Sequence, residues 1–244
     1  IQNPKEYFDV NVTGTMKLID AFKNIKLKKF IYAASSSCYG LAKTPTSENY
    51  KIDTKYPYAL SKYQGEQIVL HYGKLYSMPV ISIRIFNAYG TRVRTTGAYG
   101  AVFGVFFKQK IKNQPLTVVG NGKQSRDFVY VTDVAKAFYS AAKSKKSGQI
   151  YNLGSDKPQS VNTLVEFIGG KKVFIPNRPG EPKRTWANIT KIKRDLNWKP
   201  TIDFKNGVKK MLANIKNWKD APLWTPKSIK VATKTWFKYM SNNQ

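Results

Sequence analysis

The sequence predicts an α/β protein in which helices cover a parallel β-sheet. Two apolar runs, KKFIYAA at residues 28–34 and PVISIRI at residues 79–85, lack the alternation expected of a strand with one exposed face. Such runs are typical of strands that are buried on both sides. Each run follows a segment with helical periodicity, and this alternation of helix and strand is typical of parallel sheets.

The first half of the chain supplies the helices of this pattern. Residues 6–24 carry apolar side chains at helical spacing, and residues 58–76 predict a long helix between the two strands. Ser35–Ser37 follow the first strand directly, and Asn87 follows the second. Because ligands of open parallel sheets bind beyond the carboxyl ends of the strands, we expect these polar residues to lie in one cleft.

The second half predicts shorter elements in a mixed order. The sequence Gly120-Asn121-Gly122 is a strong turn signal after a short strand. We predict strands at residues 116–119, 126–131 and 150–153, and helices at residues 98–112, 132–142, 161–168, 189–196, 204–218 and within 224–244.

Composition excludes several classes of protein. The chain of 244 residues is 41% hydrophobic, and no apolar run has the length of a membrane-spanning helix. The single cysteine, Cys38, excludes an internal disulfide and leads us to expect a cytoplasmic protein. The single histidine, His71, excludes a histidine-rich metal site, so we predict no metal.

The net charge of +28 raises the hypothesis of a nucleic-acid-binding protein. Lysines are scattered through nearly every segment, however, and the chain has no zinc-finger spacing and no aromatic RNA-binding signature. We therefore expect no specific nucleic-acid partner and no membrane partner. A basic protein with general affinity for polyanions stays an alternative.

The most informative motif is Tyr58-Ala-Leu-Ser-Lys62. Tyr-x-x-x-Lys occurs three times in this sequence, but only Tyr58 has a serine cluster, Ser35–Ser37, shortly before it in a strand-to-loop junction. Four-residue spacing on a helix places Tyr58 and Lys62 on one face. A nearby cation and a hydrogen bond to the phenolate lower a tyrosine pKa from about 10, which makes a base for alcohol oxidation. The alternative is an ordinary surface tyrosine and a solvated lysine.

With its other motifs, the chain resembles the extended short-chain dehydrogenase/reductase superfamily. More narrowly, it resembles the NAD-dependent nucleotide-sugar epimerases and dehydratases, and most of all the UDP-hexose 4-epimerases that act on UDP-glucose or UDP-N-acetylglucosamine. The matching landmarks occur in family order at Asn11–Thr15, Ser35–Gly40, Tyr58–Lys62, Arg84–Gly90, Arg126–Asp133 and Arg178–Glu181.

This resemblance implies the C-terminal part of a Rossmann-like doubly wound parallel sheet plus a smaller mixed α/β substrate-binding domain. Residues 1–90, with a return segment at about 127–154, would be the remaining NAD-binding part. Residues 91–126 and 155–244 would bind substrate. It also implies a homodimer formed through the helices at residues 6–24 and 58–76.

The family's glycine-rich phosphate-binding turn and the acidic residue after its second strand have no counterpart in this sequence. We therefore expect that roughly the first third of a normal enzyme is missing. We also expect that this chain by itself retains NAD weakly or not at all.

The catalytic roles follow from the resemblance. Tyr58 would be the base, Lys62 would lower its pKa and bind the nicotinamide ribose, and Ser35 would hydrogen-bond the reacting sugar hydroxyl. The cofactor-binding residues would be Asn11, Ala33, Tyr58, Lys62 and Ile85. Asn11 could instead hold a helix end.

The substrate, a UDP-sugar, would be bound by residues from several segments. These are Ser36, Ser37, Asn87, Ala101, Val102, Thr117, Val119, Arg126, Arg178 and Glu181. Arg126 and Arg178 would clamp the two phosphates, a task suited to the planar guanidinium group. Glu181 would accept hydrogen bonds from the ribose, and the strand containing Thr117 and Val119 would read the uracil. Arg126 could instead form a structural ion pair with Asp127.

Ser36 and Ser37 separate the subclasses. Related 4,6-dehydratases carry Asp and Glu after the first hydroxyl residue, because removing water needs an acid and a base. Serines cannot replace them, which favours a 4-epimerase. A dehydratase or reductase on the same scaffold and a non-catalytic module that binds sugar nucleotides stay open as alternatives.

Overall fold

The computed structural model describes residues 3–93, 95 and 102–241. The helices of these residues are α1 (Pro4–Phe8), α2 (Thr15–Ala21), α3 (Pro57–Leu75), α4 (Val102–Ile111), α5 (Val131–Lys143), α6 (Val161–Ile168), α7 (Thr190–Leu196), α8 (Phe204–Ala213) and α9 (Pro226–Met240). A π-helical segment, Asp9–Gly14, joins α1 to α2, and Ser36–Tyr39 and Ile215–Trp218 are 3₁₀ turns. The strands are β1 (Phe30–Ser35), β2 (Val80–Ile85), β3 (Asn87–Tyr89), β4 (Leu116–Val119), β5 (Ser125–Arg126), β6 (Phe128–Tyr130), β7 (Gln149–Leu153), β8 (Gln159–Ser160) and β9 (Lys172–Ile175).

Strands β1, β2 and β7 form a parallel sheet with β2 in the middle. Ser35 pairs with Ile85, and Ile85 pairs with Leu153, so the three strands end at one edge. The predicted α/β class and both predicted strands are therefore confirmed, within one or two residues at each end.

Helices cover both faces of this sheet, which explains the continuous apolar runs. On one face, Ile19 of α2 and Val69 of α3 pack against Tyr32 and Val80. On the other face, Ile81, Ile83 and Tyr151 pack with residues of α5 and α7, including Ala137 and Ile192.

Gly65 lets α3 lie close to its neighbours. A Cβ atom at this position would lie 2.3 Å from the Tyr32 hydroxyl oxygen and 2.4 Å from the backbone oxygen of Asn11. The π-helical segment and β1 thus both touch α3 one turn after the predicted catalytic motif.

A second core lies under the smaller strands. Strands β4 and β9 are parallel, β3 and β6 are parallel, and β5 and β8 are antiparallel. Phe107 of α4, Leu116 of β4, Leu164 of α6 and Val208 of α8 meet there with Trp218.

The predicted strand at residues 126–131 is wrong as a single element. Arg126 ends β5, Phe128–Tyr130 pair with β3, and the chain enters α5 at Val131. Asp127 causes the break, because its buried carboxylate accepts hydrogen bonds from Ser155 and from the backbone N–H of Ala187. The local sequence does not reveal these distant donors.

Strand β9 is an element that the sequence analysis did not predict. Its side chains are mostly exposed, so it lacks the apolar pattern of a buried strand. Within the described residues, no helix combines the length and apolar character needed to cross a membrane.

Candidate active site

A cavity of about 820 Å³ opens beyond the carboxyl ends of β1 and β2. Its walls come from these strand ends, the first turns of α3, strand β4 and the loop at residues 178–182. The cavity brings together most of the residues that the sequence analysis selected. These are Ala33, Ser35, Ser36, Ser37, Tyr58, Lys62, Ile85, Asn87, Val102, Thr117, Val119, Arg126, Arg178 and Glu181.

Ser35 is the residue that links the strand end to Tyr58. Its side chain lies beside the Tyr58 phenol, where it lowers the pKa of that phenol, and its oxygen lies 2.8 Å from the hydroxyl oxygen of Ser37. The Ser37 backbone N–H also donates to Ser35 Oγ, at 3.2 Å, which begins the 3₁₀ turn. Ser35 and Tyr58 therefore both line the cavity.

The acid strength of Tyr58 differs from the sequence-based expectation. Burial raises the pKa of Tyr58 above its usual value, and Ser35 only partly offsets this effect. The neighbouring Tyr7 raises the pKa further. Lys62 is not among the groups that shift the pKa of Tyr58 in the protein alone, so the expected effect of Lys62 beside a bound cofactor stays a prediction.

The position of Lys62 gives the reason. Its ammonium nitrogen lies over the Tyr32 ring, 4.4 Å from the ring centre, in a cation–π contact. Burial lowers the pKa of Lys62, while Glu66, one turn further along α3, raises it. The cation is thus in the cavity wall but is held by Tyr32 rather than by Tyr58.

A buried ion pair fixes α3 behind the motif. The Arg84 guanidinium donates to Glu66 at 2.6 Å, and the Ser82 hydroxyl donates to the same carboxylate at 2.7 Å. Arg84 also donates to the Tyr39 hydroxyl at 2.8 Å. The sequence analysis gave Glu66 and Arg84 no structural role, although a charged residue inside an apolar strand is itself a signal for a buried partner.

At the far end of the cavity, one carboxylate joins two arginines. Arg178 donates to Glu181 at 2.8 Å, Arg126 lies 3.4 Å from its other oxygen, and Arg126 also donates to the Pro182 carbonyl at 2.9 Å. Burial lowers the pKa of Arg126, and Glu181 opposes this shift. The ion pair of Arg126 with Asp127 that the sequence left open is not present among the described contacts, since Asp127 is bonded to Ser155 and Ala187.

Strand β4 presents its backbone beside these arginines. The Thr117 N–H donates to the Gln109 side chain at 3.1 Å, and the Val119 carbonyl accepts from Gln124 at 2.9 Å. Asn87, the first residue of β3, accepts from the Thr185 hydroxyl at 2.9 Å. Three polar groups of the predicted substrate site therefore already have a hydrogen-bond partner within the protein. The sequence analysis did not select these partners, which are Gln109, Gln124 and Thr185.

Two selected residues are not placed in the cavity. Asn11 lies in the π-helical segment and donates to the Ser61 hydroxyl at 3.1 Å, so it ties that segment to α3 rather than lining the cavity. Ala101 lies outside the described residues. Within the described part of the chain, no three His, Cys, Asp or Glu side chains cluster in a way that could hold a metal ion.

The sequence analysis missed an aromatic wall of the cavity. Tyr56 and Ser37 both line the cavity, and the Tyr56 ring centre lies 5.5 Å from that of Trp236. The Trp236 indole donates to the Pro179 carbonyl at 2.9 Å. Tyr56 could have been found from its place two residues before Tyr58, but no sequence signal connects Trp236 on α9 to this site.

Known proteins are similar to this chain in sequence and in fold. A family profile described as GDP-mannose 4,6 dehydratase matches residues 1–211 and so ends before α9. The UDP-glucuronate 4-epimerase of Thermodesulfobacterium geofontis is 35% identical over 240 residues, which are 95% of this chain and 71% of that protein.

Solved structures agree with this relationship. The crystal structure of UDP-glucuronic acid 4-epimerase from Bacillus cereus, in complex with UDP-glucuronic acid and NAD, is 32% identical with a TM-score of 0.79. The match covers 85% of this chain and 67% of that one. UDP-N-acetylglucosamine 4-epimerase from Methanobrevibacter ruminantium M1 is 28% identical with a TM-score of 0.80, covering 88% of this chain and 72% of that one.

The extent and identity of these matches, together with the parallel sheet and the Ser35, Tyr58 and Lys62 cluster at its edge, confirm the Rossmann-like fold class. The chain belongs to the family of NAD-dependent nucleotide-sugar epimerases and dehydratases within the extended short-chain dehydrogenase/reductase superfamily.

Proposed function

We propose that this chain carries the catalytic site of an NAD-dependent UDP-hexose 4-epimerase. The reaction oxidises C4 of the sugar to a ketone and reduces it again on the opposite face. One observation carries this proposal: Tyr58 and Ser35 line one end of a cavity whose other end holds Arg126 and Arg178. A group suited to oxidise an alcohol and a pair of arginines suited to bind a diphosphate therefore share one cavity.

The residues around Tyr58 fit a nicotinamide cofactor. Ala33 is exposed although it lies on a sheet strand, so the sheet edge has an open apolar surface next to Ile85. The Lys62 ammonium lies in the same wall and can donate to ribose hydroxyls. When bound there, NAD accepts a hydride from an alcohol carbon and returns it.

The chain's own groups handle the proton and hold the sugar. Ser35 and Tyr58 would both hydrogen-bond the sugar hydroxyl at C4, and the phenol exchanges its proton with that oxygen. Burial raises the pKa of Tyr58 in the protein alone, and positive charge near the phenol would oppose that shift. A cavity of about 820 Å³ leaves room for the ketone to turn its other face to the same group.

The far end of the cavity supports a diphosphate substrate. Arg126 and Arg178 both contact the Glu181 carboxylate. A diphosphate could displace this carboxylate from the two guanidinium groups or bind them beside it. By their names, the relatives act on UDP-glucuronic acid and UDP-N-acetylglucosamine, which supports a UDP-sugar for this chain as well.

Dehydration is less well supported by the same cavity. Among the described residues that line it, Glu181 is the acidic one, and it lies with the arginines rather than with Tyr58. Ser36 and Ser37 stand where a dehydratase needs carboxylates. A reductase or a non-catalytic binding module could have the same fold, but neither would invert the configuration at C4 of the sugar.

The test is epimerisation, with added NAD, by a protein in which this chain follows the glycine-rich NAD-binding segment that the sequence analysis expects. Purified protein is incubated with UDP-glucose, UDP-N-acetylglucosamine and UDP-glucuronic acid in turn, and the products are separated by chromatography. We expect one substrate to be converted to its C4 epimer, and Tyr58→Phe to slow this conversion by about 10²–10⁴-fold. Protein that binds NAD and UDP but leaves all three sugars unchanged would contradict the proposal.

We also propose the finer organisation. Residues 1–90 with 127–154 would hold the cofactor, and residues 91–126 with 155–244 would hold the substrate, a division supported by the separate cores around Tyr151 and Trp218. Helix α7 packs with the sheet core, so we assign it to the cofactor part. We propose that the protein is cytoplasmic, which a buried Cys38 without a disulfide supports. We also propose that it is a homodimer, which exposed apolar residues on the first helices of the chain support.

A further inference from the structure

We infer that helix α9 positions the diphosphate-binding loop, with Trp236 as its anchor. The inference rests on the proposed function, which it deepens by adding a positioning residue to the UDP half of the site. Helix α9 lies beyond the residues that the family profile matches, so its role does not follow from the shared motifs.

Trp236 makes two contacts with the cavity wall. Its indole N–H donates to the Pro179 carbonyl at 2.9 Å, and its ring lies 5.5 Å from the Tyr56 ring at an angle of 55°. Tyr56 directly precedes α3, the helix that carries Tyr58. Trp236 thus joins the loop that carries Glu181 to the start of α3.

Met240 supports the same loop one turn later. Gly180 has a φ of +73°, and a Cβ atom there would lie 2.5 Å from Met240 Cε. The loop therefore turns directly against α9, in a backbone conformation that glycine adopts readily.

The position of this loop sets the position of both guanidinium groups. Glu181 accepts from Arg178 at 2.8 Å and lies 3.4 Å from Arg126, while the Pro182 carbonyl accepts from Arg126 at 2.9 Å. A shift of the loop would move Glu181 and Pro182, and the arginines would no longer converge. The anchor therefore acts on diphosphate binding through Arg126 and Arg178.

The face of α9 that contacts the loop carries mostly buried side chains. Its inward residues are Ile229, Thr233, Trp236 and Met240, spaced four, three and four residues apart. A capping box between Thr225 and Ser228, with Pro226 at the first turn, fixes where the helix begins. Val231 lies on the outer face with 70% of its surface exposed.

The test measures UDP binding by isothermal titration calorimetry, which needs neither NAD nor turnover. We expect Trp236→Ala to weaken UDP binding about tenfold, since it removes one hydrogen bond and one aromatic contact. Trp236→Phe keeps the ring contact with Tyr56 and should recover part of the affinity. The matched control, Val231→Ala on the outer face, should bind UDP as the unaltered chain does.

The outcomes separate this inference from the proposed function. If the unaltered chain does not bind UDP, the proposed function fails. If it binds UDP and Trp236→Ala binds equally well, the positioning role is overturned. Should Trp236→Ala not fold, Trp236→Phe and Met240→Ala decide, and normal UDP affinity in both would overturn the inference.

A second measurement reports on the loop itself. Lys183 and Arg184, just after the loop, are exposed sites for trypsin. We expect UDP to slow cleavage there in the unaltered chain, and Trp236→Ala to be cut faster and to lose this protection. Unchanged cleavage in Trp236→Ala, with or without UDP, would also overturn the positioning role.

Discussion

At the level of single residues, burial rather than charge decides the acid strength of Tyr58. Its pKa is raised by loss of solvent, and Lys62 on the next turn is held over the Tyr32 ring. A base built this way stays protonated until another positive charge arrives. Such a site avoids a reactive phenolate in the protein alone.

This acid strength gives a titration prediction. Because the pKa of Tyr58 lies above 10.0, its ordinary value, less than half of its phenolate forms at pH 10. We therefore expect the extra ultraviolet phenolate signal of the unaltered chain over Tyr58→Phe to reach half of its full size only above pH 10. A difference that develops near pH 7 would show that Lys62 already lowers the pKa.

Many residues of the site were predictable because their chemistry is local. The spacing of Tyr58 and Lys62 on one helix and the serines after a buried strand are both visible in the sequence. The role of Asn11 was not, since its hydrogen bond to Ser61 joins residues 50 positions apart. Tyr56 and Trp236 were missed for the same reason, as their contact spans much of the chain.

At the level of helices and strands, close packing at one glycine decides where α3 lies. Gly65 of α3 has the Tyr32 hydroxyl and the Asn11 backbone oxygen where a Cβ atom would be. This contact brings the helix that bears Tyr58 and Lys62 against β1, which bears Ser35. The geometry of the candidate site depends on that approach.

Substitution of glycines in two helices tests this packing. We expect Gly65→Ala to destabilise the protein by about 1–3 kcal/mol, because the added methyl group meets backbone and a buried ring. Gly104→Ala in α4 is the matched control: its nearest atom would be 3.7 Å away, so the better helix propensity of alanine should stabilise by about 0.5–1 kcal/mol. Urea unfolding of the two variants measures both effects, and equal stability would contradict the packing argument.

Strands buried on both faces were predicted well. The exposed strand β9 was missed, and residues 126–131, which are divided between β5 and β6, were predicted as one strand. β1 and β2 have continuous apolar runs, which are typical of strands buried on both faces. The stretch at residues 126–131 also looks like a strand, yet Asp127 divides it between two sheets through partners near residues 155 and 187. Local propensity cannot report a partner that the fold supplies.

At the level of the whole molecule, the helices at the start of the chain present apolar side chains to solvent. Val10 is 64% exposed, Leu18 is 54% exposed and Leu60 is 36% exposed. The exposed face of α3 continues through Gln64 and Gln67, which carry no charge. This surface suits the proposed homodimer, in which a second copy would cover it.

A charge placed in this surface tests the dimer. We expect the unaltered chain to have about twice its monomer mass of 27.7 kDa in light scattering after size exclusion. Val10→Glu should give the monomer mass, because a buried carboxylate without a partner opposes association. Val231→Glu, an equally exposed valine on α9, should leave the dimer intact. A monomeric unaltered chain would contradict the proposal.

By itself, the sequence determined the α/β class and the family, and it predicted that Ser35, Tyr58 and Lys62 lie together. These follow from local periodicity and short spacing, which act over a few residues. The tertiary structure decided how far Tyr58 is buried, which ring lies under Lys62 and that α9 contacts the arginine loop. These properties depend on burial and on contacts between distant segments, so they exist only once the chain has folded.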